Sequence, residues 1–251
     1  MKKFALLAVS LLSTMLMAVD VYLAGDSTMA TYPPERAPLT GWGAVLHLFA
    51  KDGVTIHNHA TGGRSSKSFR SEGRWDAIIN QVKPGDFVVI QFGHNDSATG
   101  EQNLYRYADP RTDFPANLRR FIAEVRAKGA TPVLLPLTVC AHFNAKGESF
   151  LTSTQRAYYD AACEVARTEN VEFIDCTKWM LAEFTRMGKE AARNIFLMIP
   201  AGQYPAYPDG KEDGIHFQRN GALFVAAGII QLAKEQNLAF GNLFNSTAKA
   251  E

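Results

Sequence analysis

Cysteine is scarce in this chain of 251 residues, and neither sign of charge is in excess. Three cysteines allow at most one internal disulfide, which excludes a small scaffold held together by disulfides. The 26 basic and 25 acidic residues offer no basic face, so no nucleic-acid partner is expected. Repeats, linkers and low-complexity segments are also missing. A hydrophobic content of 47% suits one sizeable core, so the sequence indicates a single domain.

The three cysteines are Cys140, Cys163 and Cys176. A disulfide between Cys163 and Cys176 and a set of buried free thiols are both compatible with their positions. None of the three has the spacing of a metal site, and His57 and His59 lack an acidic or cysteine partner at a suitable distance in sequence. We therefore expect no metal and no other cofactor.

Only one long apolar run exists, and it stands at the amino terminus. Lys2 and Lys3 precede an apolar stretch over residues 4–17, and Ala18 is a small residue suited to cleavage. This pattern predicts a secretory signal peptide over residues 1–18, with a mature domain over residues 19–251 and a secreted or periplasmic location. The run is short for a membrane span, and no later segment resembles one, so the mature protein is expected to have no membrane partner.

Beyond residue 18, short β-branched runs alternate with longer helical patterns. The predicted strands are Val19–Ala24, Val54–Asn58, Phe87–Phe92, Thr131–Leu137 and Val171–Asp175. The predicted helices lie near Trp42–Lys51, Trp75–Val82, Phe114–Lys128, Thr154–Asn170, Lys178–Met187 and Gly221–Asn237. Such alternation predicts a three-layer α/β/α fold with a five-stranded parallel sheet in the flavodoxin-like order. The segment between Pro200 and Asp213 reads as an ordered surface loop.

Four polar blocks follow strands or lie late in the chain. They are Gly25-Asp26-Ser27-Thr28, Asn58–Ser65 with its Gly62-Gly63 pair, Gly93-His94-Asn95-Asp96 and Asp213-Gly214-Ile215-His216. The carboxyl ends of parallel strands share one edge of a sheet, which is where ligands bind in this class of fold. The first three blocks should therefore meet, and the late block needs only to fold over them.

Together the blocks contain what acyl transfer requires. Ser27 is a weak nucleophile until His216 removes its proton, and Asp213 can orient the imidazole. The negative oxygen of a tetrahedral intermediate needs fixed donors, which the backbone N–H groups of Ser27 and Gly63 and the side-chain amide of Asn95 can provide. Each block alone is an ordinary turn composition, so the prediction depends on their joint occurrence.

The order of these blocks resembles the SGNH hydrolases, also called the GDSL family of esterases and lipases. The resemblance spans nearly the whole mature chain and implies Ser27, Asp213 and His216 as the triad and Gly63 and Asn95 as oxyanion donors. Further stretches resemble the rhamnogalacturonan acetylesterases in particular: Tyr22–Met29, Gly63–Phe69, Glu72–Trp75, Gln91–Asp96 and His216-Phe217. That subgroup implies a metal-free enzyme that removes acetyl groups from pectin, an acetylated plant cell-wall polysaccharide.

Some roles stay open at the level of sequence. Arg64 could bind a galacturonate carboxylate or brace the neighbouring glycine turn by pairing with an acid such as Asp96. His94 could contact substrate or only orient Asn95. The alternative functions are a lipase or thioesterase for longer acyl chains, an acetylxylan-type esterase, and a non-catalytic carbohydrate-binding module on the same fold. The polar, arginine-rich segment over residues 64–75 favours a carbohydrate, and the intact serine, aspartate and histidine favour an enzyme.

Overall fold

A computed structural model describes residues 18–250 and folds them around one parallel sheet. Its strands are β1 Val19–Gly25, β2 Val54–Asn58, β3 Phe87–Gln91, β4 Thr131–Leu135 and β5 Glu172–Phe173. They lie in the order β2-β1-β3-β4-β5, and every neighbouring pair is parallel. The predicted fold class is thus confirmed. Apart from Ala18, the predicted signal peptide lies outside the described residues.

Helices cover both faces of this sheet. They are α1 Trp42–Val45, α2 Ser66–Ser71, α3 Arg74–Ile79, α4 Asp113–Ala127, α5 Ser153–Glu169, α6 Cys176–Met187, α7 Lys189–Arg193 and α8 Arg219–Glu235. Helices α1, α6 and α8 pack on one face, and α2 to α5 pack on the other. No helix among residues 18–250 is long and apolar enough to cross a bilayer.

Strand β1 explains why the sheet needs helices on both sides. Its side chains alternate between the faces, with Val21 and Leu23 in one apolar cluster and Tyr22 and Ala24 in the other. All four are buried, so the strand reads as a continuous apolar run. A buried central strand of this kind holds the residues that follow its carboxyl end in a fixed place.

Several predicted elements are shorter than the sequence pattern indicates, and two of them have a clear cause in the structure. The helix predicted over Trp42–Lys51 changes after Val45 into a 3-10 helix that ends at Phe49, and the Lys51 N–H donates instead to the Leu243 carbonyl at 3.0 Å. The fifth strand ends at Phe173 because the Asp175 carboxylate caps α6, accepting a hydrogen bond from the Lys178 N–H at 2.9 Å. In both cases a hydrogen bond to another segment replaces the one that would have extended the element.

The late surface loop needs a larger correction. Phe196–Ile199 forms β6 and Lys211–Phe217 forms β7, and the two strands pair antiparallel in a separate hairpin. Asp213 and His216 therefore lie on a strand, whereas the sequence places them in or after a loop. The apolar run Phe196–Ile199 is the signal for β6, while β7 is mostly polar and carries little strand signal of its own.

Candidate active site

Ser27 lies on a tight turn directly after β1. The buried Asp26 carboxylate holds this turn, because its Oδ1 accepts hydrogen bonds from the Thr28 N–H at 2.9 Å and the Thr28 hydroxyl at 2.8 Å. The Tyr32 hydroxyl donates to the Ser27 carbonyl at 2.8 Å. Gly25 is required at the start of the turn, since a Cβ there would lie 3.1 Å from the Gln91 carbonyl oxygen and 2.8 Å from the Met29 sulfur. Ser27 itself stays partly exposed.

Ser27 opens into a cleft of about 320 Å³. The predicted residues that line it are Ser27, His94, Asn95 and His216. Its other lining residues are Ser97, Cys140, His142, Thr152, Thr154, Gln155 and Ile215. Most of these side chains carry a hydroxyl, amide or imidazole group, so the cleft is suited to a polar ligand with hydrogen-bonding groups.

The Gly62-Gly63 turn after β2 lies against Ser27. The Thr61 N–H donates to the Gly25 carbonyl at 3.0 Å, which fastens the two strand ends together. A Cβ built on Gly62 would stand 3.7 Å from the Ser27 Cβ, so this turn approaches the serine closely. Gly63 has a φ of +78°, a left-handed conformation that favours glycine. The N–H groups of Ser27 and Gly63 make no hydrogen bond within residues 18–250.

Arg64 braces this turn. Its Nη1 donates to the Gly62 carbonyl at 2.9 Å, and its Nε donates to the Glu72 carboxylate at 3.0 Å. The same carboxylate oxygen accepts a hydrogen bond from Arg74 Nε at 2.6 Å. Arg64 is not among the residues described as lining the cleft. The geometry therefore favours bracing over substrate contact for Arg64, with Glu72 as the partner rather than the predicted Asp96.

Asp96 instead anchors the block that carries Asn95. It is fully buried, and its two oxygens accept hydrogen bonds from the backbone N–H groups of Ser66 and Gly93, each at 3.0 Å. Burial raises the pKa of Asp96 to about 7, against the effect of the donors from Ser66. These contacts fasten the turn after β3 to the start of α2, and they hold Asn95 at the cleft.

His94 faces the cleft beside Asn95. Its Nε2 pairs with the buried Thr138 hydroxyl at 3.1 Å, and burial lowers the pKa of the imidazole. The Asn95 amide is held by other groups, since its Nδ2 donates to the Arg64 carbonyl at 3.1 Å. Of the two roles left open for His94, the geometry therefore favours contact with a ligand over orientation of Asn95.

Asp213 and His216 form a hydrogen-bonded pair on β7. The His216 Nδ1 lies 2.8 Å from the Asp213 Oδ2, so the carboxylate makes Nδ1 the donor and leaves Nε2 as the acceptor. His216 lines the cleft. Burial alone would raise the pKa of Asp213. Hydrogen bonds from the His216 ring and from the N–H groups of Ile215 and His216 outweigh it, and they hold that pKa well below the usual 3.8.

The cleft also contains residues that the sequence motifs do not reveal. Thr152 and Gln155 form a reciprocal capping box at the start of α5, and the Gln155 amide reaches the Cys140 sulfur at 2.9 Å. Burial raises the pKa of Cys140 to about 12. A capping box is visible in a sequence, but nothing local indicates that it faces a cleft whose serine lies more than a hundred residues away.

The tryptophans, Arg70 and His57 have structural roles. Trp42 and Trp75 are fully buried, and Trp179 stacks on Phe224 with ring centroids 5.0 Å apart. Arg70 binds Glu124. His57 pairs with Asp20 at 2.8 Å.

Tyr204 and Tyr207, in the loop between β6 and β7, and the three cysteines also lack a role that the structure ties to catalysis. Tyr204 and Tyr207 pack around a small apolar cluster and are not among the residues that line the cleft. All three cysteines are free thiols, so of the two possibilities open in the sequence the structure has no disulfide between Cys163 and Cys176. Within residues 18–250, no three histidine, cysteine or acidic side chains gather in a way that could hold a metal ion.

A doubly wound α/β sheet whose serine and histidine line one cleft at its carboxyl edge defines the class of α/β ester hydrolases. The family model for the GDSL-like lipase/acylhydrolases matches residues 23–222. The chain belongs to this family and is a carboxylic ester hydrolase, which confirms the predicted family and enzyme class.

Curated relatives with similar sequences are also named as esterases. The chain is 36% identical over 220 residues to the rhamnogalacturonan acetylesterase RhgT of Bacillus subtilis, covering 88% of this chain and 91% of the relative. It is 43% identical over 213 residues to a rhamnogalacturonan acetylesterase of Emericella nidulans, covering 78% and 82% of the two chains.

Solved structures share the fold. The protein YxiM of Bacillus subtilis superposes with a TM-score of 0.75 at 29% identity, and the match covers 89% of this chain but 58% of YxiM. The acetylxylan esterase Axe2 of Geobacillus stearothermophilus superposes with a TM-score of 0.59 at 20% identity, covering 86% and 94% of the two chains. At that identity the second match supports the fold alone.

Proposed function

We propose that this protein is an exported serine esterase that removes O-acetyl groups from a pectic polysaccharide, with Ser27 as the nucleophile. The observation that carries the proposal is the arrangement at one cleft. There Ser27 and His216 line the same cleft, and His216 is paired with Asp213 at 2.8 Å. The backbone N–H groups of Ser27 and Gly63 have no partner within residues 18–250. Relatives named rhamnogalacturonan acetylesterase support the substrate class.

The reaction follows from these groups. The Ser27 hydroxyl attacks the acetyl carbonyl carbon while the His216 Nε2 takes its proton, and Asp213 stabilises the resulting imidazolium. The carbonyl oxygen gains a negative charge, which the N–H groups of Ser27 and Gly63 and the Asn95 amide bind. The intermediate collapses to acetyl-Ser27 as the bond to the sugar oxygen breaks, and His216 gives its proton to that oxygen, which leaves as the sugar hydroxyl. Water, activated by His216, then releases acetate by the same two steps.

The lining of the cleft supports a sugar ester over a long-chain ester. A lipase or thioesterase would need an apolar groove for its acyl chain. Here the polar residues Ser97, Thr152, Thr154 and Gln155 line the cleft. His94 adds an imidazole on the same wall.

The decisive experiment compares wild type with Ser27→Ala on acetylated pectin, acetylated xylan and chromogenic acetyl and octanoyl esters. We expect wild type to release acetate fastest from pectin and to cleave the acetyl ester faster than the octanoyl ester. Ser27→Ala should lose turnover while keeping the thermal unfolding temperature. Near-native hydrolysis by the mutant, or a covalent phosphonate adduct on another residue, would contradict the assignment. Faster release of acetate from xylan than from pectin would contradict the pectic substrate. Faster cleavage of the octanoyl ester than of the acetyl ester would contradict an acetylesterase.

A further inference from the structure

Arg106 contacts two of the three segments that contribute donors to the proposed oxyanion site. Its Nη1 lies 3.1 Å from the Asn95 Oδ1 and 3.5 Å from the Gly63 carbonyl oxygen. The same guanidinium nitrogen is also the nearest atom to a Cβ placed on Gly63, at 4.0 Å. One cation therefore joins the turn after β2 to the turn after β3, just behind the groups that face the cleft.

The contact with Arg106 fixes which way the Asn95 amide points. A guanidinium can only donate hydrogen bonds, so the amide atom that faces it must be the oxygen. The amide nitrogen must then point the other way, where one of its protons binds the Arg64 carbonyl at 3.1 Å. Its second proton is left for the cleft, which Asn95 lines. The Arg64 carbonyl selects the same orientation, so the loss of Arg106 removes one of the two contacts that oppose a half-turn rotation of the amide. Such a rotation would present an oxygen to the oxyanion.

Arg106 is itself held in place. Its Nε donates to the Asn103 Oδ1 at 2.9 Å, and its guanidinium lies 5.8 Å from the ring centroid of Tyr105. The Arg106 N–H also donates to the Asn103 carbonyl at 2.9 Å. A positively charged donor on the amide oxygen polarises the amide, which makes its N–H a stronger donor to a developing negative charge.

We propose that Arg106 is a positioning residue for the oxyanion site, acting through the Asn95 amide rather than by touching the substrate. The inference rests on the proposed function in one respect, the role of Asn95 as an oxyanion donor. The proposal predicts that removing Arg106 weakens binding of the transition state and so lowers kcat. It also predicts that removing Arg106 lowers kcat little further once Asn95 has been removed.

The test is a double-mutant cycle on a small chromogenic acetyl ester, with kcat and KM measured separately. Wild type, Arg106→Ala, Asn95→Ala and the double variant are compared. Arg106→Ala should lower kcat by roughly tenfold, less than the about 10²–10³ expected for the direct donor, and leave KM nearly unchanged. In the Asn95→Ala background it should cause little further loss. Arg106→Lys keeps the positive charge but not the planar set of guanidinium donors, so its kcat should fall between those of wild type and Arg106→Ala.

Arg111→Ala is the matched control, because it removes an exposed arginine from the neighbouring segment. It should leave kcat unchanged, and thermal melting of every variant reports whether the fold is kept. An equal kcat loss from Arg106→Ala in both backgrounds, a change in KM alone, or no change would overturn the positioning role. A fully active Asn95→Ala would instead overturn the proposed oxyanion site, and with it this inference.

Discussion

The Ala141 N–H donates a hydrogen bond of 2.8 Å to the Gly214 carbonyl. This bond joins β7, which carries Asp213 and His216, to the segment that follows β4 at the carboxyl edge of the sheet. The hairpin has no strand in common with the parallel sheet. The position of His216 relative to Ser27 therefore depends on contacts of this kind rather than on strand pairing within the sheet.

Gly214→Ala should disturb this junction. A Cβ at position 214 would lie 3.0 Å from both the Met198 Cε and the Ala141 Cβ. The end of the methionine side chain can move aside, but the Ala141 Cβ cannot rotate away, so the backbone of β7 shifts by a few tenths of an ångström and carries His216 with it. We expect a lower kcat, with a loss below the about 10²-fold that a displacement of the order of 1 Å in a catalytic group can cost. The double variant Ala141→Gly/Gly214→Ala removes the contact with residue 141 and should regain part of the loss in a steady-state assay. If it regains none, the backbone of Gly214 matters for another reason.

Asn95→Ala should lower kcat by about 10²–10³, or roughly 2.7–4 kcal/mol, if its amide binds the oxyanion. KM should change less, because the amide binds most strongly in the transition state. Ser97→Ala, a change at another polar residue of the cleft, is the control for general disturbance of the wall. An Asn95→Ala effect confined to KM would indicate that the amide binds the sugar in the ground state.

Arg64→Ala should slow small esters and acetylated pectin by the same factor, since Arg64 holds the Gly62 carbonyl next to Ser27. A partly exposed brace of this kind is worth up to about 1 kcal/mol, which corresponds to roughly fivefold in rate. Glu72→Gln weakens the Arg64 pair from its other end and should act in the same direction. The measurement is kcat/KM for both substrates. A loss found only with pectin would restore the role in carboxylate binding that the sequence also allows.

Asp213→Asn should change how stability depends on pH. The folded-state pKa of Asp213 lies below its ordinary value of 3.8, so its stabilising contribution is fully present above that value. It is lost as the pH falls toward the folded-state pKa. Denaturant unfolding of wild type and mutant between pH 7 and pH 3 should show a stability difference that is constant above about pH 5 and shrinks below about pH 4. A difference that widens on acidification would contradict the ionised pair.

Chelators should leave the activity unchanged, because every step proposed here uses a side chain or backbone group of this chain. Dialysis against a strong chelator, followed by a steady-state assay, is the measurement. Activity that is lost on dialysis and restored by zinc or another divalent ion would require a metal in the reaction. His57 and His59 would then be the first residues to substitute.

The sequence by itself determined the parallel sheet and the residues of the polar site. β-Branched and helical patterns alternate along the chain, and such alternation leads to a parallel sheet because each helical crossover returns the chain to the end at which the previous strand began. Ser27, Gly63 and Asn95 each lie within five residues of the end of a strand, so the fold brings them together without any knowledge of side-chain contacts. The pairing of Asp213 with His216 is also local, since three residues separate them.

Only the tertiary structure decided how these parts are held. Asp96 binds Ser66, Arg64 binds Glu72, and Arg106 reaches Asn95 and Gly63. Each choice depends on which loops lie next to each other, and charged residues offer many partners of nearly equal energy along a sequence. The same holds for β7, whose polar residues become a strand only because β6 supplies the apolar partner and the Ala141 N–H binds the Gly214 carbonyl. Local propensity cannot predict these pairings, since they arise from contacts between segments far apart in the chain.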